Sequence, residues 1–163
     1  MSAQPLNRAA VLGAGFMGHG IAQLLIMTGT DVALVDINHE ILAKARQKVQ
    51  WSLEKFVEKR TIRKEDADAA LARLRTTTNV DEAFKDVDLI IEAAPENLEM
   101  KKKLFAQMDK IAPKHAIFGS NTSTLSITEL GKVTSRPDRV VGLHFFSPPQ
   151  MMPLLEIIKG AQT

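Results

Sequence analysis

The run Gly13-Ala-Gly15-Phe-Met-Gly18 has the spacing GxGxxG. That spacing says little alone, because glycine-rich turns are common. Here it follows a short apolar run, "RAAVLG", and opens a helical pattern, "FMGHGIAQLLIMTG", which is the context a dinucleotide site requires. Gly13 permits the tight turn, Gly15 lets backbone amides approach a pyrophosphate at the positive helix end, and Gly18 lets helix and strand pack closely. Asp36 closes the second apolar run, "DVALVDIN", about 20 residues further on, where a carboxylate meets a ribose 2′-hydroxyl and repels a 2′-phosphate. No arginine follows it in "DINHE", which favours NAD over NADP. The competing reading is a turn that uses glycine for geometry alone. Strand, loop, helix and acid falling in one register argue against it.

A second group lies near the end of the chain, in "HFFSPPQMMPLLEI". His144 ends the apolar run "RVVGLH". Glu156 stands among Leu154, Leu155, Ile157 and Ile158, where an unpaired carboxylate is costly. Each residue therefore answers the other's need for a partner. Oxidising an alcohol removes a hydride from carbon and a proton from oxygen, and an imidazole can take the proton. A buried carboxylate on the other ring nitrogen would fix the tautomer and favour the imidazolium. Ser123, in the polar turn "SNTST", could hydrogen-bond the substrate oxygen. Against these stand a core histidine with a satisfied ring and a turn that only caps a helix; Ser126, with Glu129 as the far half of a capping box, explains the cap without Ser123. His19 lies near the glycine loop, and His39 and His115 fall at element edges. No spacing resembles a metal cluster.

The elements that must carry these residues follow from apolar patterning. "RAAVLG", "DVALVDIN", "DVDLIIEAA", "HAIFGSNTS", "DRVVGLHFF" and "LLEIIKG" read as strands. Met17, Ile21, Leu24 and Leu25 define one helix. Ile41, Ala45, Val49, Leu53 and Phe56 define a long one from His39 to about Arg60. "RKEDADAALARL" makes a second helix, so residues 39–75 form a helical hairpin. "ENLEMKKKLFAQMDKIAP" turns Leu98, Leu104, Phe105, Met108 and Ile111 inward, and "SITELGK" is a short helix. Strands that are continuous apolar runs and alternate with helices imply a parallel sheet covered on both faces, hence an α/β doubly wound Rossmann-type fold, mostly parallel, with the hairpin inserted after the second strand. In such a fold ligands bind beyond the carboxyl ends of the strands, where "AAPEN", "SNTST" and "HFFSPP" all fall.

Bulk properties set outer limits. The 163 residues suffice for one domain with a real core. The absence of cysteine excludes disulfides and thiolate metal sites and suits a reducing compartment. "MSAQPLNR" lacks the apolar core of a signal peptide, and no run reaches membrane-spanning length, so the expectation is a cytoplasmic protein, with the mitochondrial matrix as the eukaryotic equivalent. A net charge of +2 gives no case for nucleic acid. Between His39 and Lys64, however, Lys44, Arg46, Lys48, Lys55, Lys59, Arg60, Arg63 and Lys64 face only Glu40, Glu54 and Glu58, which is either a solvated helix face or a surface for an anionic partner.

"VLGAGFMGHGIA", "SNTSTLSI" and "HFFSPPQMMPLLEIIKG", in this order, resemble the NAD-binding domain of the L-3-hydroxyacyl-CoA dehydrogenases, which include 3-hydroxybutyryl-CoA dehydrogenases and the dehydrogenase parts of multifunctional fatty-oxidation enzymes. The similarity covers nearly the whole chain. It implies reversible, NAD-dependent oxidation of a (3S)-3-hydroxyacyl-CoA to the 3-oxoacyl-CoA. It places the general base on His144, the orienting carboxylate on Glu156, and a contact to both substrate and nicotinamide on Ser123. It implies cofactor contacts at Gly13, Ala14, Gly15, Phe16, Met17, Gly18, Asp36, Glu96 and Lys101, and coenzyme A contacts at Ser52 and Lys59.

Two departures from the family pattern stand out. Ser147 occupies a position where the family usually has asparagine, so the shorter hydroxyl either loses a cofactor contact or makes it through water. The family also continues into a helical C-terminal domain that carries a catalytic asparagine and most of a homodimer interface. The expectation is therefore that residues 1–163 form the NAD-binding domain alone, binding NAD with little turnover. The alternatives are a non-catalytic NAD-binding module and another Rossmann hydroxy-acid dehydrogenase.

Overall fold

The strands of the computed structural model, which describes residues 6–163, order themselves by how many of their faces are apolar. The polar N-terminal segment read from the sequence lies, through Pro5, outside the described residues. Among the described residues seven strands form one sheet: β1 (Arg8–Leu12), β2 (Asp31–Val35), β3 (Leu74–Thr77), β4 (Leu89–Glu92), β5 (Ile117–Ser120), β6 (Val140–Phe145) and β7 (Leu155–Lys159). The order is β3-β2-β1-β4-β5-β6-β7, with every pairing parallel except β6–β7.

The central strands are apolar throughout because both faces are covered. Ala9 and Val11 of β1, Val32 and Leu34 of β2 and Ile91 of β4 enter one core. Their alternates Ala10, Leu12, Ala33, Val35 and Ile90 enter the other. Helices α1 (Phe16–Met27), α2 (His39–Glu58) and α3 (Lys64–Ala72) cover the first face; α5 (Leu98–Ile111) and α6 (Ile127–Gly131) cover the second, after a short α4 (Val80–Phe84).

The α2–α3 hairpin forms as expected and serves as the crossover from β2 to β3. Its buried stripe is rotated slightly from the one anticipated. Leu42, Ala45, Val49, Ser52 and Leu53 face inward, while Ile41 is exposed and Phe56 half-buried. In α5 the inward positions are Lys101, Phe105 and Met108, with Leu98, Leu104 and Ile111 only partly covered. Both helices start on asparagine caps. Asn38 accepts from the Glu40 amide at 2.7 Å and Asn97 from the Met100 amide at 2.9 Å.

Strand β3 and helix α4 have no counterpart in the sequence reading. "LRTT" buries only Leu74, and it is a strand because it lies beside Val32–Val35 at the sheet edge. Helix α4 is too short to show a period, and it is held by the Asn79 cap and buried Ala83 and Phe84. At α6 the capping box forms by half. Ser126 accepts from the Glu129 amide at 3.3 Å, but the Glu129 carboxylate goes to Lys132 and Lys102.

Candidate active site at the strand ends

The sheet order reverses between β1 and β4, so a crevice opens above their carboxyl ends. The glycine loop crosses it. Gly13 has φ +100°, and a Cβ there would lie 2.7 Å from the Ala93 carbonyl oxygen. A Cβ on Gly18 would lie 1.7 Å from the Gly13 carbonyl oxygen, so helix and loop touch backbone to backbone. A Cβ on Gly15 would meet nothing within 4 Å. Gly15 is also the N-cap of α1 and no side chain caps the helix. The glycine at this position therefore leaves open space above uncapped amides, which fits a pyrophosphate approaching the backbone.

Asp36 closes the loop on the β2 side. Its Oδ2 accepts from the Ala14 amide at 2.8 Å and its Oδ1 from the Ile37 amide at 2.8 Å. The carboxylate is thus fixed against the loop with lone pairs to spare for a ribose hydroxyl. Phe16 is exposed, and Met17 packs half-buried against the core. His19 Nδ1 lies 2.7 Å from the Gly15 carbonyl oxygen, a local contact within α1.

Past β4 and β5 the polar turns lock together. Glu96, in "AAPEN", accepts from the Thr122 hydroxyl, and its Oε2 lies 3.4 Å from Lys101 Nζ. Burial pushes the Glu96 carboxyl up, but the Thr122 hydroxyl, the Lys101 ammonium and the Ser123 backbone amide outweigh it and hold it below the usual range. The Ser123 side chain is exposed at the top of this turn. The next turn is clasped to it, because Asn121 Oδ1 accepts from the Phe145 amide at 2.9 Å.

His144 and Glu156 are directly opposite each other in the antiparallel β6–β7 ladder. Nδ1 of His144 lies 2.8 Å from Glu156 Oε2, and the Phe146 ring sits 4.8 Å from the imidazole, centroid to centroid. Glu156 corrects one expectation, because its side chain is 53% exposed rather than buried. It is exposed because β7 is the outer strand of the sheet and shows solvent on both faces. His144 is only 22% exposed.

Three predicted positions make no side-chain hydrogen bond to these clusters among the described residues. Ser147 is exposed in the turn after β6. Ser52 is 8% exposed on the core face of α2, and Lys59 is exposed at that helix's C-cap. Much of the basic surface around α2 is a solvated, paired one: Lys55 with Glu58, Arg63 with Asp66 and Lys64 with Asp68.

Three buried residues of this region were not singled out from the sequence: Glu92, Ser120 and Thr122. The signal was present, since Glu92 and Ser120 are polar residues ending the apolar runs "DLIIE" and "AIFGS" at the strand ends where ligands bind.

Against known proteins, residues 8–163 match the family model described as 3-hydroxyacyl-CoA dehydrogenase, NAD binding domain. The fatty acid oxidation complex subunit alpha of Acinetobacter baylyi is 45% identical over 161 residues, which are 99% of this chain and 22% of that protein. The mitochondrial hydroxyacyl-coenzyme A dehydrogenase of Rattus norvegicus is 42% identical over 97% of this chain and 52% of its own length. The crystal structure of 3-hydroxybutyryl-CoA dehydrogenase from Escherichia coli superposes with a TM-score of 0.95 at 38% identity, covering 98% of this chain and 34% of that one. The chain thus spans about a fifth to a half of the length of these relatives. Its glycine loop, its fixed Asp36 and its doubly wound sheet agree with that match, and the chain belongs to the family of 3-hydroxyacyl-CoA dehydrogenase NAD-binding domains.

Proposed function

We propose that this domain serves the reversible oxidation of a (3S)-3-hydroxyacyl-CoA to the 3-oxoacyl-CoA, with His144 as general base and Glu156 as the carboxylate that orients it. The observation that carries the reading is the 2.8 Å contact between His144 Nδ1 and Glu156 Oε2 at the open end of β6. A proton on Nδ1 donates to the carboxylate, so the lone pair is on Nε2, the tautomer a base needs. NAD, when bound, supplies the hydride acceptor. The Nε2 lone pair takes the hydroxyl proton of the substrate as the carbonyl forms, and the imidazolium returns it in the reverse direction. Glu156 offsets the imidazolium charge, and excluding water from this half-exposed pair would strengthen that effect. Ser123, exposed on the turn after β5, is the residue assigned in this reading to donate to the substrate oxygen.

Coenzyme A recognition is proposed for the α2 end. Lys59 is open to a phosphate there, whereas a contact to Ser52 requires its hydroxyl to turn out of the core face. The family resemblance also supports a helical C-terminal domain, a homodimer for the full-length protein and a cytoplasmic location, with a mitochondrial matrix counterpart in eukaryotes. Among the described residues no helix is long and apolar enough to cross a membrane.

The test is NADH formation from (3S)-3-hydroxybutyryl-CoA by this chain, alone and mixed with the helical C-terminal domain of a relative. Turnover should be low alone and rise on mixing. His144→Gln should abolish the added turnover and leave NAD affinity within about twofold. Turnover that survives His144→Gln would sink the assignment of the base.

A further inference from the structure

Glu92 is fully buried at the carboxyl end of β4, and Lys101, one turn into α5, is 1% exposed. Their charges meet at 2.6 Å. The second carboxylate oxygen accepts from the Ser120 hydroxyl at 2.6 Å, at the end of β5. The first also accepts from the Ala94 amide at 2.6 Å, and Lys101 donates to the Ala94 carbonyl at 3.1 Å. A buried carboxylate is tolerable only with this many partners.

The contacts continue into a closed ring. The Thr122 amide donates to Ser120 Oγ at 3.4 Å, the Thr122 hydroxyl donates to Glu96, and Glu96 faces Lys101 at 3.4 Å. One buried carboxylate therefore sets the turn after β4, which holds Glu96, and the turn after β5, which holds Ser123. The ring lies on one side of the glycine loop, opposite Asp36. A dinucleotide with its pyrophosphate at the loop and its adenosine ribose at Asp36 must lay its nicotinamide half over the ends of β4 and β5.

We propose that Glu92 is a positioning residue for the nicotinamide half of the cofactor, acting through Lys101, Ser120 and Thr122 to preset Glu96 and Ser123. This rests on the cofactor orientation used above. The hydrogen bonds of the Glu92 side chain go to Ala94, Lys101 and Ser120 and none reaches the glycine loop or Asp36, so its replacement acts first on the two turns under the nicotinamide. Its effect therefore divides between the two halves of the ligand, which a purely structural role would not produce.

The experiment is calorimetric titration of this chain with NAD+ and with ADP-ribose, which lacks the nicotinamide, beside a thermal melt. Glu92→Gln should weaken NAD+ roughly tenfold and ADP-ribose by less than about twofold. Ser120→Ala removes one hydrogen bond without touching the ion pair, and should move the NAD+ to ADP-ribose ratio the same way by a smaller factor. The pair Glu92→Gln with Lys101→Met removes both buried charges; it should recover much of the melting temperature but not the ratio. If Glu92→Gln does not fold, the Ser120→Ala ratio decides. Equal loss of both ligands, or an unchanged ratio in a folded variant, overturns the positioning role. Failure of the unaltered chain to bind either ligand overturns the cofactor reading itself, a result distinct from the other two.

Discussion

Gly15 and Gly18 are one motif to the eye but answer to different forces. Gly18 is needed by the fold, since any side chain there collides with the Gly13 backbone; Gly18→Ala should cost several kcal/mol, at or above the usual 1–3 kcal/mol range for overpacking, seen in urea unfolding. Gly15 is needed by the ligand. Its φ of −72° suits alanine and a Cβ meets nothing, so Gly15→Ala should leave stability within about 0.5 kcal/mol while weakening NAD about tenfold or more in calorimetry. Asp36 combines both roles through its bond to the Ala14 amide. Asp36→Ala should weaken NAD and narrow its advantage over NADP, measured by titrating both.

At the scale of elements, the helix that carries Lys101 is fixed at both ends by acids and amides. The Asn97 cap starts α5, so Asn97→Ala should lower stability by about 1 kcal/mol in denaturant unfolding. Near the other end Asp109 receives the Ser135 amide at 2.7 Å and the Arg136 guanidinium at 2.7 Å, tying α5 to the segment before β6. Burial pushes the Asp109 carboxyl up, but the Ser135 amide and hydroxyl and the Arg136 guanidinium bring it below its ordinary 3.8. A carboxylate with a lowered folded value stabilises above the unfolded value. That stability is lost as the pH falls through the folded one. Asp109→Asn should therefore flatten the acid limb of the stability curve below about pH 4, read from melts across pH, with the main loss of stability above it. The elements that escaped sequence reading share one cause. Leu74–Thr77 and Val80–Phe84 are four and five residues long, with too little periodicity to mark them; a neighbouring strand and an asparagine cap make them regular.

For the whole molecule, the decisive feature is the outer edge of the sheet. Met151, Met152, Leu154, Leu155, Ile157 and Ile158 are exposed on and before β7, and among the described residues the strand has no neighbour beyond it. An apolar, unpaired edge is a template for association. The chain alone should show concentration-dependent self-association in sedimentation velocity, and Ile157→Lys should suppress it without lowering the melting temperature.

The cofactor end of the site was legible because its chemistry is local. A strand, a glycine turn, a helix and an acid lie within residues 8–36, and their spacing alone brings them together. The pairing of His144 with Glu156 was also legible, because an awkward glutamate and a lone histidine flank one proline-rich turn. What no spacing could decide was burial. Glu156, set among aliphatic residues, faces water because its strand is last in the sheet, whereas Glu92, at the end of an apolar run, and Lys101, expected at the cofactor, are sealed under two turns. The sequence by itself determined six of the seven described strands and where the ligand ends of the sheet would lie, through apolar runs and turn residues. Only the tertiary structure decided which charges lost their water, because burial depends on what packs alongside and not on what comes next in the chain.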